Sequence, residues 1–283
     1  MKLIESKAEY IPQEEGLEGI YKMIELAGRT AYHSLDKITP DSAKDFVDRM
    51  IKSHHGAALE HGTVYLICSA IDCGGDTRNL PLYHLVNNKY SDVVDKNNYL
   101  YVTTNFRVLQ ENNWLEDLQY LCSPTKFHEK RYTMRFTCDR GVSHQLVRER
   151  LMSFLQESQR YCSYIKEKFG ASVIFIQPDW IKTSDQKEFE EDIKAVEKLY
   201  FKWLNKGYKA EEARYFLING TKTEIVITAF ASDWRHMLDL RYFEKTGKVS
   251  SDMKNLMLKT QKAMQEAGIW EDIMSNPSKF EYE

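Results

Sequence analysis

Residues 143–161 hold a dense set of side chains that could bind a nucleotide. Gln145 offers an amide that both donates and accepts hydrogen bonds, which suits the edge of a base. Arg148 offers a planar guanidinium, which suits phosphate or carbonyl oxygens. The apolar spacing predicts a helix over 141–157, on which Gln145 and Arg148, three positions apart, share a face. Arg150 lies about 200° from Arg148 around such a helix, so we expect it to act differently.

Other interpretations of this segment stay open. The same residues are compatible with a helix that carries solvated charges and an internal Arg150–Glu157 ion pair. Ser158 could be a nucleophile, but no His and Asp at a triad-like spacing accompany it, and a polar contact in a loop explains it better. Cys162 could be a nucleophilic thiol, although a buried neutral thiol is the more common state of such a residue.

The elements that must position this segment are helices and strands in mixed order. Runs of β-branched and aromatic residues predict three strands, over Thr63–Cys68, Tyr132–Cys138 and Thr221–Thr228. Helical apolar spacing predicts helices over 17–26, 42–53, 187–206, 211–217, 233–241 and 251–268. The predicted fold class is therefore α/β (α+β), with one compact domain over 1–283 and a central sheet flanked by helices.

Residues 72–130 are expected to be an irregular insertion in that domain. They contain Gly74-Gly75 and paired asparagines at 87–88 and 97–98, with a short helix predicted over 114–121. The two glycines alone are far too weak a signal for a phosphate-binding loop.

Composition limits the classes of function. The 42 acidic and 39 basic residues give a net charge of −3, so a general nucleic-acid binder is not expected and any phosphate site must be local. The charged start and the lack of an apolar run approaching 18 residues predict neither secretion nor membrane spanning, and hence a cytoplasmic protein. Five cysteines without a Cys-x-x-Cys pair predict reduced thiols and no metal site. Adjacent His54 and His55 would point apart on a helix and do not form a ligand pair.

Four short motifs resemble those of the flavin-dependent thymidylate synthases. Arg148-Glu149-Arg150, seven residues and Ser158 resemble the family signature Arg-His-Arg, seven residues and Ser, followed in both by Arg-Tyr. Residues 55–61, His-Gly-Ala-Ala-Leu-Glu-His, resemble the family's His-Gly-x-x-x-Phe-Glu-His segment. Residues 27–30, Ala-Gly-Arg-Thr, resemble its N-terminal Ala-Ala-Arg, and residues 207–214 with Leu240-Arg241 fall at the family's later spacing. The resemblance covers about residues 15–70 and 131–265.

This resemblance implies a function and a set of roles. It implies reductive methylation of dUMP to dTMP by a homotetramer with active sites at subunit interfaces, with FAD as redox carrier, NADPH as reductant and methylenetetrahydrofolate as one-carbon donor. It implies that Arg148, Ser158 and Arg241 take part in the reaction. The implied nucleotide-binding residues are Gln145, Arg148, Glu157, Ser158, Arg160, Arg214 and Arg241. The implied cofactor-binding residues are Arg29, His55, Glu60, Glu149, Arg150 and His236.

Departures from the family pattern concentrate on the flavin side. Glu149 replaces the motif histidine, and Phe230 and His236 stand where the family commonly has asparagines near the flavin. We expect Glu149 either to pair with Arg148 or Arg150, or to face the cofactor. An alternative function is therefore a related C5 one-carbon transfer, such as hydroxymethylation or use of another pyrimidine nucleotide. A catalytically silent nucleotide-binding homologue is the other alternative.

Overall fold

The computed structural model describes residues 1–69, 78, 80–160 and 172–278. The strands are β1 Lys2–Ile4, β2 Lys7–Ile11, β3 Thr63–Ser69, β4 Asp92–Lys96, β5 Tyr99–Asn105, β6 Arg131–Asp139, β7 Ser153–Gln156, β8 Ile174–Ile176 and β9 Lys222–Phe230. The helices are α1 Gly16–Ala31, α2 Ser42–Lys52, α3 Gly56–Leu59, α4 Phe106–Glu111, α5 Arg140–Leu146, α6 Gln186–Asn205, α7 Ala210–Ala213, α8 Ala231–Arg241, α9 Ser251–Glu266 and α10 Trp270–Met274.

A four-stranded antiparallel sheet in the order β2-β6-β9-β7 forms the centre of the fold. Its long central strands, β6 and β9, are almost entirely buried, because helices cover both faces. Trp234 and Leu238 of α8 and Met253 of α9 pack into one core with the sheet residues Phe136 and Ile227. Helix α1 contacts β7 and β9. The predicted central sheet flanked by helices is confirmed.

A second sheet in the order β3-β5-β4 lies within and beside the segment expected to be irregular. That expectation is wrong for residues 92–111, which form β4, β5 and α4. Asn97 and Asn98 both have positive φ, 55° and 62°, and they close a two-residue hairpin between β4 and β5. The asparagine pair was thus a turn signal between two strands. The short helix expected near residue 114 is present as 3₁₀ turns over Leu115–Tyr120.

The prediction of one helix over 141–157 is also wrong after Leu146. Helix α5 ends at Leu146, and Ser153–Gln156 form β7, which pairs antiparallel with β9 from Ser153 opposite Thr228. Leu151, at a φ of 73°, lies in the turn between them. A short amphipathic run fits either element, and pairing with the exposed edge of β9 decides for the strand. Gln145 and Arg148 therefore do not share one continuous helix.

Close packing between α1 and α2 leads to a first prediction at Gly28. A Cβ on Gly28 would lie 2.4 Å from Cζ of Phe46, whose ring is buried and has the guanidinium of Arg29 over it at 5.1 Å. Gly28→Ala should lower the free energy of unfolding by about 1–3 kcal/mol through overpacking, although alanine favours a helix. Chemical denaturation measures this, and Gly28→Ala with Phe46→Leu should recover most of the loss. A single variant as stable as the wild type would contradict the packing argument.

Candidate functional site

Gln145, Arg148 and Arg241 line one cavity of about 580 Å³, called here the α5–α8 cavity. Gln145 lies in the last turn of α5, Arg148 in the turn that follows, and Arg241 at the end of α8. Lys248 adds a third permanent cation to the wall, and none of the described residues that line the cavity is Asp or Glu. A wall with cations and no acid favours an anionic ligand, and the Gln145 amide, hydrogen-bonded to Ser250 Oγ at 3.3 Å, stands beside it.

Glu149 contacts helix α8 through two side chains, those of Arg241 and His236. Its Oε1 accepts a hydrogen bond from Arg241 Nη2 at 3.2 Å, and its Oε2 lies 3.8 Å from His236 Nε2. The carboxylate is buried, with 6% of the residue exposed. The expected pairing of Glu149 with Arg148 or Arg150 is therefore wrong, because those two side chains are exposed and the turn after α5 directs Glu149 inward.

Glu157 is buried, and its partners among the described residues come from β9 and from the turn after α1. Its Oε2 accepts from Lys222 Nζ at 3.0 Å and from the Glu224 amide at 3.1 Å, and its Oε1 lies 3.2 Å from His33 Nδ1. Burial alone would raise its pKa, but the His33 hydrogen bond and the Lys222 charge hold the pKa of Glu157 below its ordinary value. Glu157 therefore pairs with Lys222 and not with Arg150. This pair joins the end of β7 to the start of β9.

Arg160 and Arg214 meet at Glu211 rather than in the α5–α8 cavity. Arg160 Nε lies 3.6 Å from Glu211 Oε2, and Arg214 Nε donates to the Glu211 carbonyl at 3.2 Å. Ser158 lies next to them, where its hydroxyl accepts from the Arg160 amide at 3.3 Å and its own amide donates to Ala31 O at 3.0 Å. One copy of the chain therefore presents the four predicted phosphate-binding arginines as two separate pairs.

A larger cavity of about 680 Å³, called here the inter-sheet cavity, lies between the four-stranded central sheet and the three-stranded sheet. Arg131, Ser153 and Phe230 of the central sheet line it, as do Glu60, which follows α3, and Arg107 of α4. Arg107 Nη1 contacts Glu60 Oε1 at 2.5 Å. The cavity is within the size range of organic ligand sites.

Arg131 is the most unusual group at the inter-sheet cavity. Its Nη1 donates to Thr63 Oγ1 at 3.2 Å and its Nη2 to Ser153 Oγ at 3.3 Å, while both also reach the Glu60 carbonyl. Its Nε is buried and has no hydrogen-bond partner among the described residues. Burial lowers the pKa of Arg131 to about 10. The surrounding groups therefore only partly offset the cost of removing this cation from water.

Of the other predicted cofactor residues, Arg29 lies on α1, His55 lies at the start of α3, and Arg150 lies in the turn after α5. Arg29 is buried on α1, where its Nε donates to Glu25 Oε1 at 2.7 Å. His55 is exposed at the start of α3, and its Nδ1 is hydrogen-bonded to Tyr32 Oη at 2.8 Å. Arg150 is exposed, and it makes no ion pair with any residue in the described part of the chain.

Sequence reasoning missed Arg131, Arg107, His61 and Lys222. Arg131 and Lys222 are the first residues of β6 and β9, two mainly apolar strands. A charged residue at the first position of such a strand was the signal that could have identified them. Arg107 lies in the segment expected to be irregular, and no pattern marked it. His61 was noted only as part of a motif, yet it is fully buried and bonded to Thr228 Oγ1 at 2.8 Å.

Cys162 and Cys73 lie outside the described residues, so the question of a Cys162 nucleophile stays open. Of the cysteines that the structure describes, Cys138 and Cys122 have pKa values raised by burial and hold their protons at neutral pH. No cluster of three or more His, Cys, Asp or Glu with metal-site geometry occurs among the residues described. Within the same ranges, none of the helices has the length and apolar character needed to cross a bilayer.

Comparison with known proteins identifies the family. A family model described as thymidylate synthase complementing protein matches residues 95–265, so the chain belongs to that family and the predicted resemblance is confirmed. The chain is 33% identical over 111 residues to a flavin-dependent thymidylate synthase of Pyrococcus furiosus, a match that covers 38% of this chain and 44% of the relative. A flavin-dependent thymidylate synthase of Thermococcus kodakarensis is 37% identical over 110 residues, with 38% and 44% covered. The chain thus spans less than half the length of these curated relatives.

A solved structure is also similar over most of the chain. It is the UMP/dUMP methylase PolB from Streptomyces cacaoi bound with 5-Br dUMP, with a TM-score of 0.42 and 16% identity. The similarity covers 95% of this chain and 92% of that one.

Proposed function

We propose that this protein is a flavin-dependent thymidylate synthase-like enzyme that methylates C5 of dUMP. The observation that carries the proposal is the α5–α8 cavity, where Gln145, Arg148 and Arg241 stand on one wall without an acidic neighbour among the described lining residues. Methylenetetrahydrofolate is the proposed one-carbon donor and NADPH the proposed reductant. Membership of the family supports the same assignment.

In this proposal the cavity binds both the phosphate and the uracil of the nucleotide, each through different residues. Arg148, Arg241 and Lys248 receive the dianionic phosphate, because guanidinium and ammonium groups form charge-assisted hydrogen bonds with phosphate oxygens. Gln145 presents donors and an acceptor to the uracil edge. Arg148, Arg241 and Ser158 are thus proposed to act by binding and orienting the substrate rather than by forming a bond to it.

The inter-sheet cavity fits an organic cofactor, and we assign the flavin to it. Its volume of about 680 Å³ suits such a ligand, Phe230 offers an aromatic face, and the buried Nε of Arg131 is a donor without a partner among the described residues. Glu60 lines the cavity, while His55, Arg29, Arg150 and His236 remain proposed cofactor residues. When bound, the flavin would supply the hydride that reduces the transferred methylene unit.

The chain itself contributes orientation and electrostatics to the reaction. Donors that are held in place before the substrate arrives stabilise charge on the uracil carbonyl oxygens, and binding at two ends limits the motion of the ring. In this proposal no protein nucleophile is needed, because the residues of the chain act by binding and orienting the substrate.

Self-association is part of the proposal, as is a cytoplasmic location. Arg160, Arg214 and Ser158 lie apart from the α5–α8 cavity within one copy of the chain. We propose that a homotetramer brings this exposed group of one copy to the cavity of another, so that all four arginines meet one nucleotide. The proposed unit remains one catalytic domain over 1–283 with an insertion at about 72–130.

Calorimetric titration with dUMP tests the nucleotide site. Arg148→Met and Arg241→Met should each weaken dUMP binding by about 1.5–3 kcal/mol, the usual value of a charge-assisted contact. Deoxyuridine, which lacks the phosphate, should bind both variants as it binds the wild type. Arg135→Met is the matched control, because Arg135 lies on β6 and pairs with Glu9. Affinities for dUMP within about twofold of wild type in both cavity variants would reject the assignment.

The reaction itself is tested on the purified protein. A flavin absorbance band, together with dTMP formed from dUMP, methylenetetrahydrofolate and NADPH, is the expected result. Flavin and nucleotide binding with a 5-hydroxymethyl product would favour the alternative one-carbon transfer. Nucleotide binding without flavin or turnover would identify a silent homologue.

A further inference from the structure

We infer that Glu149 is a positioning residue that sets which nitrogen of Arg241 is offered to the nucleotide phosphate. This inference rests on the proposed function, because it concerns how the α5–α8 cavity selects a phosphorylated ligand. It starts from three side chains that meet behind the cavity wall, Glu149, Arg241 and His236.

The contacts of Arg241 leave one nitrogen for a ligand. Nη2 is used inside the protein, at 3.2 Å from Glu149 Oε1 and 3.5 Å from the Gln145 carbonyl. Nε is buried and has no hydrogen-bond partner in the described ranges. Nη1 is therefore the donor that can reach a phosphate in the cavity, since Arg241 itself lines that cavity.

Glu149 can fix the orientation of Arg241 because burial and a second neighbour fix the orientation of its own carboxylate. It is 6% exposed, and its second oxygen faces His236 Nε2 at 3.8 Å, so the carboxylate is bracketed by two groups of α8. A planar guanidinium fixed at one nitrogen by a buried carboxylate loses little rotational freedom when it binds phosphate. The carboxylate does not line the α5–α8 cavity, so it positions Arg241 without facing the ligand.

The test is a double-mutant cycle read out by the difference between two ligands. Glu149→Gln should weaken dUMP binding about tenfold, whereas deoxyuridine affinity should change by less than about twofold. In an Arg241→Met background the same change should have no further effect on dUMP. Glu149→Asp, which keeps the charge but shortens the side chain, should also weaken dUMP binding selectively.

Asp239→Asn is the matched control, because Asp239 is a buried carboxylate that pairs with Arg235 on the same helix at 3.2 Å. It should leave the ratio of dUMP to deoxyuridine affinity at the wild-type value. Tighter dUMP binding in Glu149→Gln would overturn the inference and show that the carboxylate only neutralises Arg241. Equal losses for both ligands, or an undiminished effect in the Arg241→Met background, would also overturn it.

Different results would reject the proposed function and the proposed role of Glu149. Absence of dUMP binding by the wild-type protein would remove the proposed function. Wild-type binding that is weakened by Arg241→Met but unchanged in Glu149→Gln and Glu149→Asp would leave the function standing and reject the role of Glu149 alone.

Discussion

Lys222→Met is expected to lower the free energy of unfolding by about 3 kcal/mol, because it leaves a buried carboxylate without its main cation. Lys222 is 5% exposed and lies 3.0 Å from Glu157 Oε2 and 2.7 Å from Glu224 Oε1, and Glu157 is 4% exposed. His33 and the Glu224 amide remain as partners of Glu157, which places the loss near the low end for such pairs. Denaturant unfolding at neutral pH measures the change.

Two further variants separate charge from packing. Lys222→Met with Glu157→Gln should recover most of the lost stability, because no unpaired charge stays buried. Lys44→Met removes an exposed pair with Asp48 and should leave the free energy of unfolding close to the wild-type value, because water screens this pair. A double variant no more stable than Lys222→Met would refute the ion-pair explanation.

His61 is expected to make the free energy of unfolding fall as the pH drops below about 6.5. This pH is well above the pH range in which carboxylates titrate. Burial, with a smaller contribution from the charge of Arg131, lowers the pKa of His61 from 6.5 to about 3. The unfolded chain therefore binds a proton below pH 6.5 that the folded chain refuses. Stability from this group is complete above pH 6.5 and is lost as the pH falls towards 3, at about 1.4 kcal/mol for each pH unit.

The change between pH 7.5 and pH 5 isolates this effect. The wild type should lose about 2 kcal/mol more than His61→Asn over that interval, because asparagine can keep a bond to Thr228 without titrating. Glu157 does not interfere, since its lowered pKa places its own loss of stability below its ordinary value of 4.5. His54→Asn changes an exposed histidine at a φ of 56°, which asparagine tolerates, and should behave as the wild type. Equal pH slopes in the wild type and His61→Asn would show that His61 is protonated in the folded protein.

Elements with a strong local pattern could be predicted from the sequence. Helices α1, α2, α6, α8 and α9 and strands β3, β6 and β9 follow from apolar periodicity, β-branched runs and capping residues, which act within a few neighbouring positions. The family signature is equally local. It needs only the order and spacing of Arg148, Arg150 and Ser158.

Elements that depend on a distant partner could not be predicted from the sequence and are seen only in the folded chain. Ser153–Gln156 is a strand because the edge of β9 pairs with it, and Asp92–Asn105 becomes a hairpin on β3 around two asparagines with positive φ. The same holds for the charges. Glu149 lies among arginines in the sequence, yet it pairs with Arg241 and faces His236, both more than 80 positions away.

The physical reason is the range over which each interaction acts. Backbone propensity and side-chain periodicity are properties of a short segment, so the sequence displays them directly. A buried ion pair or a sheet edge is selected by desolvation, which depends on every element that packs around it. Lys222–Glu157 and Arg241–Glu149 therefore appear only once β7, β9, α5 and α8 are in place.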